Sequence, residues 1–99
     1  MNEAKRESQM PDMGIAVAWL EREDWPEWEK IDRDIPPYER WKEKIDAATA
    51  AATSKHQAWV KVIVRPGPFV AWCSQNGRQV SSQARAEYAA SLMMLRQAH

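Results

Sequence analysis

Two short apolar segments of the chain have the residue pattern of β-strands. In residues 14–20, apolar side chains occupy both faces, and the β-branched Ile15 and Val17 after a glycine favour a buried strand over a helix. In residues 59–65, one face of the segment carries only valines, namely Val60, Val62 and Val64. The pattern therefore predicts one strand at each of these two places.

Apolar residues recur at helical spacing in two longer segments. In residues 37–54 they form a single stripe, made of Tyr38, Trp41, Ile45, Ala48 and Ala52. In residues 82–97, with Ser81 or Ser82 as the N-cap, a second stripe is made of Ala84, Tyr88, Leu92 and Leu95. The apolar surface of this last helix is widened by Ala89, Met93 and Met94. The two patterns predict the two long helices of the fold.

A shorter helix is predicted over residues 24–33. Asp24 is placed to accept a backbone N–H as the N-cap, and Glu27 is placed to reach back as in a capping box. The prolines at 36 and 37 cannot continue this helix, so it ends before them.

Residues 65–77 allow two interpretations. In the first, Pro66 and Gly67 form a type II turn that leads into a hairpin strand. In the second, which we favour, a short helix over 68–76 begins near Pro68 and is closed by Gly77.

The two halves of the chain resemble each other at an offset of 44 residues. Trp28 corresponds to Trp72, and further matches pair Trp25 with Phe69, Leu20 with Val64, Ala18 with Val62, and Glu43 with Glu87. These matches suggest two β-α-α units related by a pseudo-two-fold axis, although so few identities also arise by chance. Such units would pair their strands in antiparallel fashion. Because a two-stranded sheet leaves its edges uncovered, pairing across a homodimer would complete it.

These elements make an α+β protein with two short strands and about four helices. Its 99 residues suffice for one domain, which we place at residues 14–99 after a flexible polar tail at 1–13. No apolar run approaches the length that a membrane helix needs, and the first residues lack the apolar core of a signal peptide. We therefore expect a cytoplasmic protein that does not bind membranes.

The net charge of zero hides a division between the two halves. Residues 1–54 carry thirteen acids and eight bases, whereas residues 55–99 carry one acid and six bases. The division predicts either ion pairs between the halves or two surfaces that face different partners.

Sequence motifs for catalysis or cofactor binding are missing. The three glycines, at 14, 67 and 77, are too far apart for a phosphate-binding loop. With two histidines and one cysteine, the chain offers no spaced metal-ligand set, so we expect no metal and no cofactor. The apolar neighbours of Cys73 indicate a buried side chain rather than a reactive thiol.

Tryptophan is unusually frequent, with six residues in the chain. Trp19, Trp59 and Trp72 lie among apolar residues, which predicts that they belong to the core. Three others lie among charged residues, namely Trp25, Trp28 and Trp41. Either these three cover the core, or one or two of them reach the surface, where tryptophan is a favoured binding anchor.

Taken together, these features favour a non-enzymatic protein-interaction or regulatory module that forms a homodimer or binds another protein. Its candidate contact residues are Trp25, Trp28, Trp41, Ala89, Met93 and Met94. The main alternative is a nucleic-acid-binding accessory protein whose basic half contacts phosphates through Lys61, Arg65, Arg78 and Arg85. A small enzyme that acts through carboxylates such as Asp24 or Glu27 is a third hypothesis, and no motif supports it.

Overall fold

A computed structural model describes residues 14–97 of the chain, and the predicted tail at 1–13 lies outside this range. The described part contains two strands and four α-helices, and a one-turn 3-10 helix at Arg22–Asp24 leads into the first of them. In chain order the elements are β1 (Ile15–Trp19), α1 (Trp25–Ile31), α2 (Tyr38–Ser54), β2 (Trp59–Ile63), α3 (Pro66–Gln75) and α4 (Ser82–Gln97). The predicted α+β fold class is therefore confirmed, and each predicted boundary lies within two residues of the observed one.

The two strands pair in parallel, with Ile15 opposite Trp59 and Trp19 opposite Ile63. The expectation of antiparallel pairing is therefore wrong. Parallel neighbours need a long crossover between them, and here α1 and α2 supply it. The chain thus leaves β1 at one end of the sheet and returns to the other end before β2 begins.

The relation between the two halves follows from this register. The order β-α-α occurs twice, and every paired position in the sheet is 44 residues apart, as in Ala18 opposite Val62. Residues that pair in register lie side by side on the same sheet face. Corresponding strands are thus related by a shift across the sheet, and the proposed two-fold axis between antiparallel strands is wrong.

The two faces of the sheet differ in burial. The face that carries Val62 packs into the core, where this side chain is fully buried. Alternation along the strands places Ile15 and Trp19 of β1 with Lys61 and Ile63 of β2 on the opposite face. Ile15 and Ile63 remain exposed there, while Trp19 is half-buried against Trp41 of α2.

The first strand begins at a tight approach to the chain before β2. Gly14 has a φ of +76°, and a Cβ on it would overlap the backbone carbonyl of Ala58. The next residue, Ile15, donates its backbone N–H to this same carbonyl at 3.0 Å. Glycine is therefore required here both by its backbone conformation and by the space available.

Residues 66–75 form a helix, which confirms the favoured interpretation over the hairpin. The helix starts two residues before the predicted position because Pro66 occupies its first turn, where a missing N–H costs nothing. At its end, Gly77 has a φ of +63°, and the N–H of Arg78 donates to the carbonyl of Cys73 at 2.9 Å. This is the pattern of a Schellman cap.

The predicted helix caps have opposite outcomes. Ser81 does cap α4, since its hydroxyl accepts the backbone N–H of Ala84 at 3.0 Å. The capping box at Asp24 is wrong, because the Asp24 side chain accepts no backbone N–H at the start of α1. Its carboxylate instead accepts two hydrogen bonds from Arg65, at 2.6 and 2.9 Å.

The core is built between the buried sheet face and the helices. Its buried apolar members are Leu20, Trp25, Trp28, Trp41, Val62, Val64, Phe69, Cys73, Ala84, Tyr88, Ala89 and Met93. The tryptophans predicted to be core are less buried than these, since Trp19 and Trp72 only pack against the cluster from its margin. Trp59 lies outside the cluster and donates its indole N–H to the Thr53 hydroxyl at 3.0 Å.

Candidate functional site

A cleft with a volume of about 590 Å³ lies along the outer edge of β1. Three consecutive strand residues, Ala16 to Ala18, line it. Since neighbouring strand residues point to opposite faces, the cleft must straddle the strand edge. One wall is α2, and the other is the start of α4, where the cleft is lined by Trp41, Lys44, Ile45, Ala48, Ser81, Ser82, Arg85 and Ala86.

The backbone of β1 turns specific hydrogen-bonding groups toward this cleft. Ile15 donates its N–H to Ala58, and Trp19 accepts the N–H of Val64, so the odd-numbered residues of β1 bond to β2. In a strand, alternate residues direct their N–H and C=O groups to opposite edges. The N–H and C=O groups of Ala16 and Ala18 therefore point to the outer edge, where the described sheet has no third strand.

A buried ion pair closes one side of the cleft. Arg85 donates from Nη1 to Oδ2 of Asp32 at 2.6 Å, and only 6% of the Arg85 side chain and 7% of the Asp32 side chain are exposed. Asp32 also accepts the backbone N–H of Asp34, at 3.1 Å, so its carboxylate is held from two directions. The guanidinium lies 5.5 Å from the ring centre of Trp28, whose buried indole N–H has no acceptor among the described residues.

A second, apolar groove of about 430 Å³ lies between α3 and α4. Its lining consists of Trp72, Tyr88, Ser91, Leu92, Met94 and Leu95. Met94 and Leu95 are each 59% exposed, which makes them the most exposed large apolar side chains of the described chain. We call these two residues with Trp72 and Leu92 the α4 patch.

Most of the predicted interaction residues do not lie on the surface. Trp25, Trp28 and Trp41 are all buried, so the structure supports the alternative in which they form the core. On α4, Ala89 and Met93 are also buried and cannot anchor a partner. Of the six candidates only Met94 lies at the surface, in the α4 patch.

The four candidate nucleic-acid contacts are scattered and largely engaged within the protein. Arg65 is held by Asp24, which raises the pKa of Arg65 above its ordinary value. Arg85 is buried, and Arg78 forms an ion pair with Glu87 at 2.7 Å. The ammonium of Lys61 lies 4.5 Å from the ring centre of Trp19. Phosphate contacts by the arginines would therefore compete with these internal partners.

The remaining candidate residues differ in their surroundings. Burial raises the pKa of the Cys73 thiol, although Arg78 opposes the effect, so the buried and unreactive interpretation is supported. Asp24 is committed to Arg65, whereas Glu27 is exposed on α1. Among the described residues, no three histidine, cysteine or carboxylate side chains come together as a metal site.

Sequence reasoning missed the cleft and identified only part of the α4 patch. The cleft depends on which edge of β1 stays open, and that edge is fixed by parallel pairing, which the pattern did not reveal. Leu95 was assigned to the buried stripe of the last helix, but α4 extends beyond the core before it reaches this residue. The charge division was the useful signal, since Asp24–Arg65 and Asp32–Arg85 both join an acid of the first half to an arginine of the second.

Comparison of the chain with protein-family models, with curated proteins and with solved structures gave no match. Within residues 14–97, no helix combines the length and the apolar character that crossing a membrane requires. The cleft beside β1 and the α4 patch are therefore the surfaces from which we infer a function.

Proposed function

We propose that this protein is a non-enzymatic protein-interaction module that forms a homodimer through the α4 patch. The observation that carries the proposal is the pair of adjacent side chains, Met94 and Leu95, that leave more than half of their surface in water beside an apolar groove. Burying such surface is the main source of affinity in protein association. Met94 is the one contact residue predicted from the sequence that belongs to this surface.

The shape and chemistry of the α4 patch suit self-association. Trp72 and Tyr88 line the groove beside it, with ring centres 5.4 Å apart, and aromatic side chains of this kind are typical anchors of interfaces. In a two-fold dimer each contact occurs twice, so Leu95 of each copy would enter the groove of the other. Because the formal net charge is zero, two copies approach without long-range repulsion.

The test is light scattering coupled to size exclusion over a range of protein concentrations. We expect the full chain to reach a dimer mass, and Met94→Glu/Leu95→Glu to remain a monomer at concentrations about a hundredfold higher, since each dimer would bury four carboxylates. Circular dichroism checks that the variant stays folded, as both side chains are exposed.

The matched control is Ala47→Glu/Ala50→Glu, which adds the same charges to exposed positions of α2. This variant should dimerise like the unmodified chain. A chain that stays monomeric throughout, or a Met94→Glu/Leu95→Glu variant that dimerises normally, would show that the α4 patch is not a self-association surface.

The other hypotheses receive less support. Nucleic-acid binding lacks a clustered set of uncommitted cations among the described residues, and no observation favours it over self-association. An enzymatic role has no assembled group of catalytic side chains in that same part of the chain to support it. The cytoplasmic location stays a prediction from the sequence.

A further inference from the structure

We propose that the cleft beside β1 is a docking site for an extended peptide of a partner protein, which adds to the sheet as a third strand. This goes beyond homodimerisation, because the cleft and the α4 patch are lined by different residues. The occupant that we infer is a short, extended apolar segment, not a folded domain.

The backbone of β1 offers hydrogen-bonding groups at its open edge. Ala16 and Ala18 direct two N–H donors and two C=O acceptors to the open edge, and no hydrogen bond joins them to another described part of the chain. The two residues lie about 6.6 Å apart along the strand. An extended polypeptide has donors and acceptors at the same repeat, so it can pair with all four groups at once.

The space around this edge is open to the cleft. Ala16 and Ala18 turn their side chains to the core face of the sheet, so these side chains do not lie across the strand edge. Residues of α2 and α4 line the two sides of the cleft, so the edge is approached between them. The volume of about 590 Å³ falls in the range of specific ligand sites.

The walls of the cleft combine apolar surface with balanced charges. Trp41, Ile45 and Val80 give apolar surface for one inward-pointing side chain of the peptide. The buried ion pair of the lining is neutral, and the two remaining charged residues, Lys44 and Asp34, are both exposed and of opposite sign. The lining therefore has no net charge, and its apolar wall favours an apolar peptide segment.

The openness of the edge can be measured directly by amide hydrogen exchange of the full chain, followed by NMR. The amides of Val17 and Trp19, which bond to β2, should exchange at least tenfold more slowly than those of Ala16 and Ala18. Equal protection of all four amides in the free protein would show that the chain itself covers this edge, and the partner proposal would be overturned.

Binding is then tested with a displayed library of seven-residue peptides selected on the full-length protein. We expect enriched peptides to carry apolar residues at alternate positions. Adding one as a synthetic peptide should slow exchange of the Ala16 and Ala18 amides. N-methylation of the peptide nitrogens that face β1 should abolish binding, while N-methylation of the alternate nitrogens should preserve it.

A steric plug of the cleft supplies the matched variants. Ala48 lines the cleft, whereas Ala50 lies on the same helix outside it, and both are exposed. Ala48→Phe should weaken peptide binding at least tenfold, and Ala50→Phe should leave it unchanged. A library without enrichment, or peptides that bind Ala48→Phe as well as the unmodified chain, would overturn the proposal.

These outcomes are independent of the proposed dimer. Met94→Glu/Leu95→Glu should bind the peptide with unchanged affinity, and Ala48→Phe should still dimerise. Failure of peptide binding with dimerisation intact removes only the docking site, while the reverse result removes only the dimer surface.

Discussion

Two ion pairs join the acidic first half of the chain to the basic second half, and they differ in their contact with water. In Asp32–Arg85, only 7% and 6% of the respective side chains are exposed. In Asp24–Arg65 the carboxylate is equally buried, at 6%, but 53% of the arginine side chain is exposed. The second pair is bidentate, whereas the first has one short hydrogen bond and depends on Asp34 for further support of its carboxylate.

The difference shows that a charge division in a sequence can have two structural meanings. A buried pair costs much desolvation free energy and tolerates no loss of one partner. A pair that is open to water costs less to form and loses less when it is broken, because water can replace the missing partner. The two ion pairs therefore stabilise the packing of the halves to different extents. Mutation of each pair should reveal this difference as a different loss of stability.

The largest effect is expected from breaking the buried pair. Arg85→Met should lower the free energy of unfolding by about 3–5 kcal/mol, because it leaves the Asp32 carboxylate buried without a cation. Urea unfolding at pH 7 measures the loss. A domain of this size has a stability of about 5–15 kcal/mol, so the variant should remain measurable in most of that range.

The control for this effect removes both charges. Asp32→Leu/Arg85→Met should recover most of the loss, since an apolar pair of similar volume needs no desolvation. If Arg85→Met lowers the free energy of unfolding by less than about 1 kcal/mol, the Asp32–Arg85 pair is exposed to water in solution and does not differ from Asp24–Arg65.

A smaller loss is expected from Arg65→Met. Removing the half-exposed guanidinium lets water reach the Asp24 carboxylate, which then keeps part of its solvation. The melting temperature should fall by a few degrees, and by less than in Arg85→Met. Arg65→Lys sharpens the test, because it keeps the charge but cannot reproduce the two-point contact with Asp24. An Arg65→Met loss as large as that of Arg85→Met would contradict the comparison.

The two ion pairs should also differ in how salt changes their contribution to stability. At 1 M NaCl the screening length falls to about 3 Å, and exposed charges are screened far more than buried ones. The stability difference between the unmodified chain and Arg65→Met should therefore shrink with salt. The corresponding difference for Arg85→Met should remain nearly constant. Both are measured by urea unfolding at low and high salt, and equal salt dependence would disprove the distinction.

The smallest effect is expected at a surface ion pair whose two residues both lie in the first half of the chain. Lys42 and Asp46 lie one turn apart on α2, with 2.9 Å between Nζ and Oδ2. Asp46→Asn should change the free energy of unfolding by about 0.5 kcal/mol or less. Thermal unfolding of this variant measures the loss of stability for an exposed ion pair. A loss as large as that of Arg65→Met would contradict the ranking of the three ion pairs by burial.

Local patterns predicted the elements well because they report local physics. The stripe from Tyr38 to Ala52 gave α2 nearly to the residue, and the prolines and Gly77 marked the limits of α3. Trp25 and Trp28 show the limit of such reasoning. Their charged neighbours left surface exposure open as one of two alternatives, yet both indoles are buried while the charged residues within α1 are exposed.

The amino-acid sequence by itself determined the order β-α-α-β-α-α, the positions of the helices and the opposite charges of the halves. Each of these depends on residues within one or two helical turns, or on simple counting. Only the tertiary structure decided the parallel pairing, the open edge at Ala16 and Ala18, and the partners of Asp24 and Asp32. These contacts join residues that are 41 to 53 positions apart, and many pairings of that separation fit the same local pattern. Packing of the whole chain selects among them, since one arrangement must bury the apolar faces and pair the buried charges at the same time.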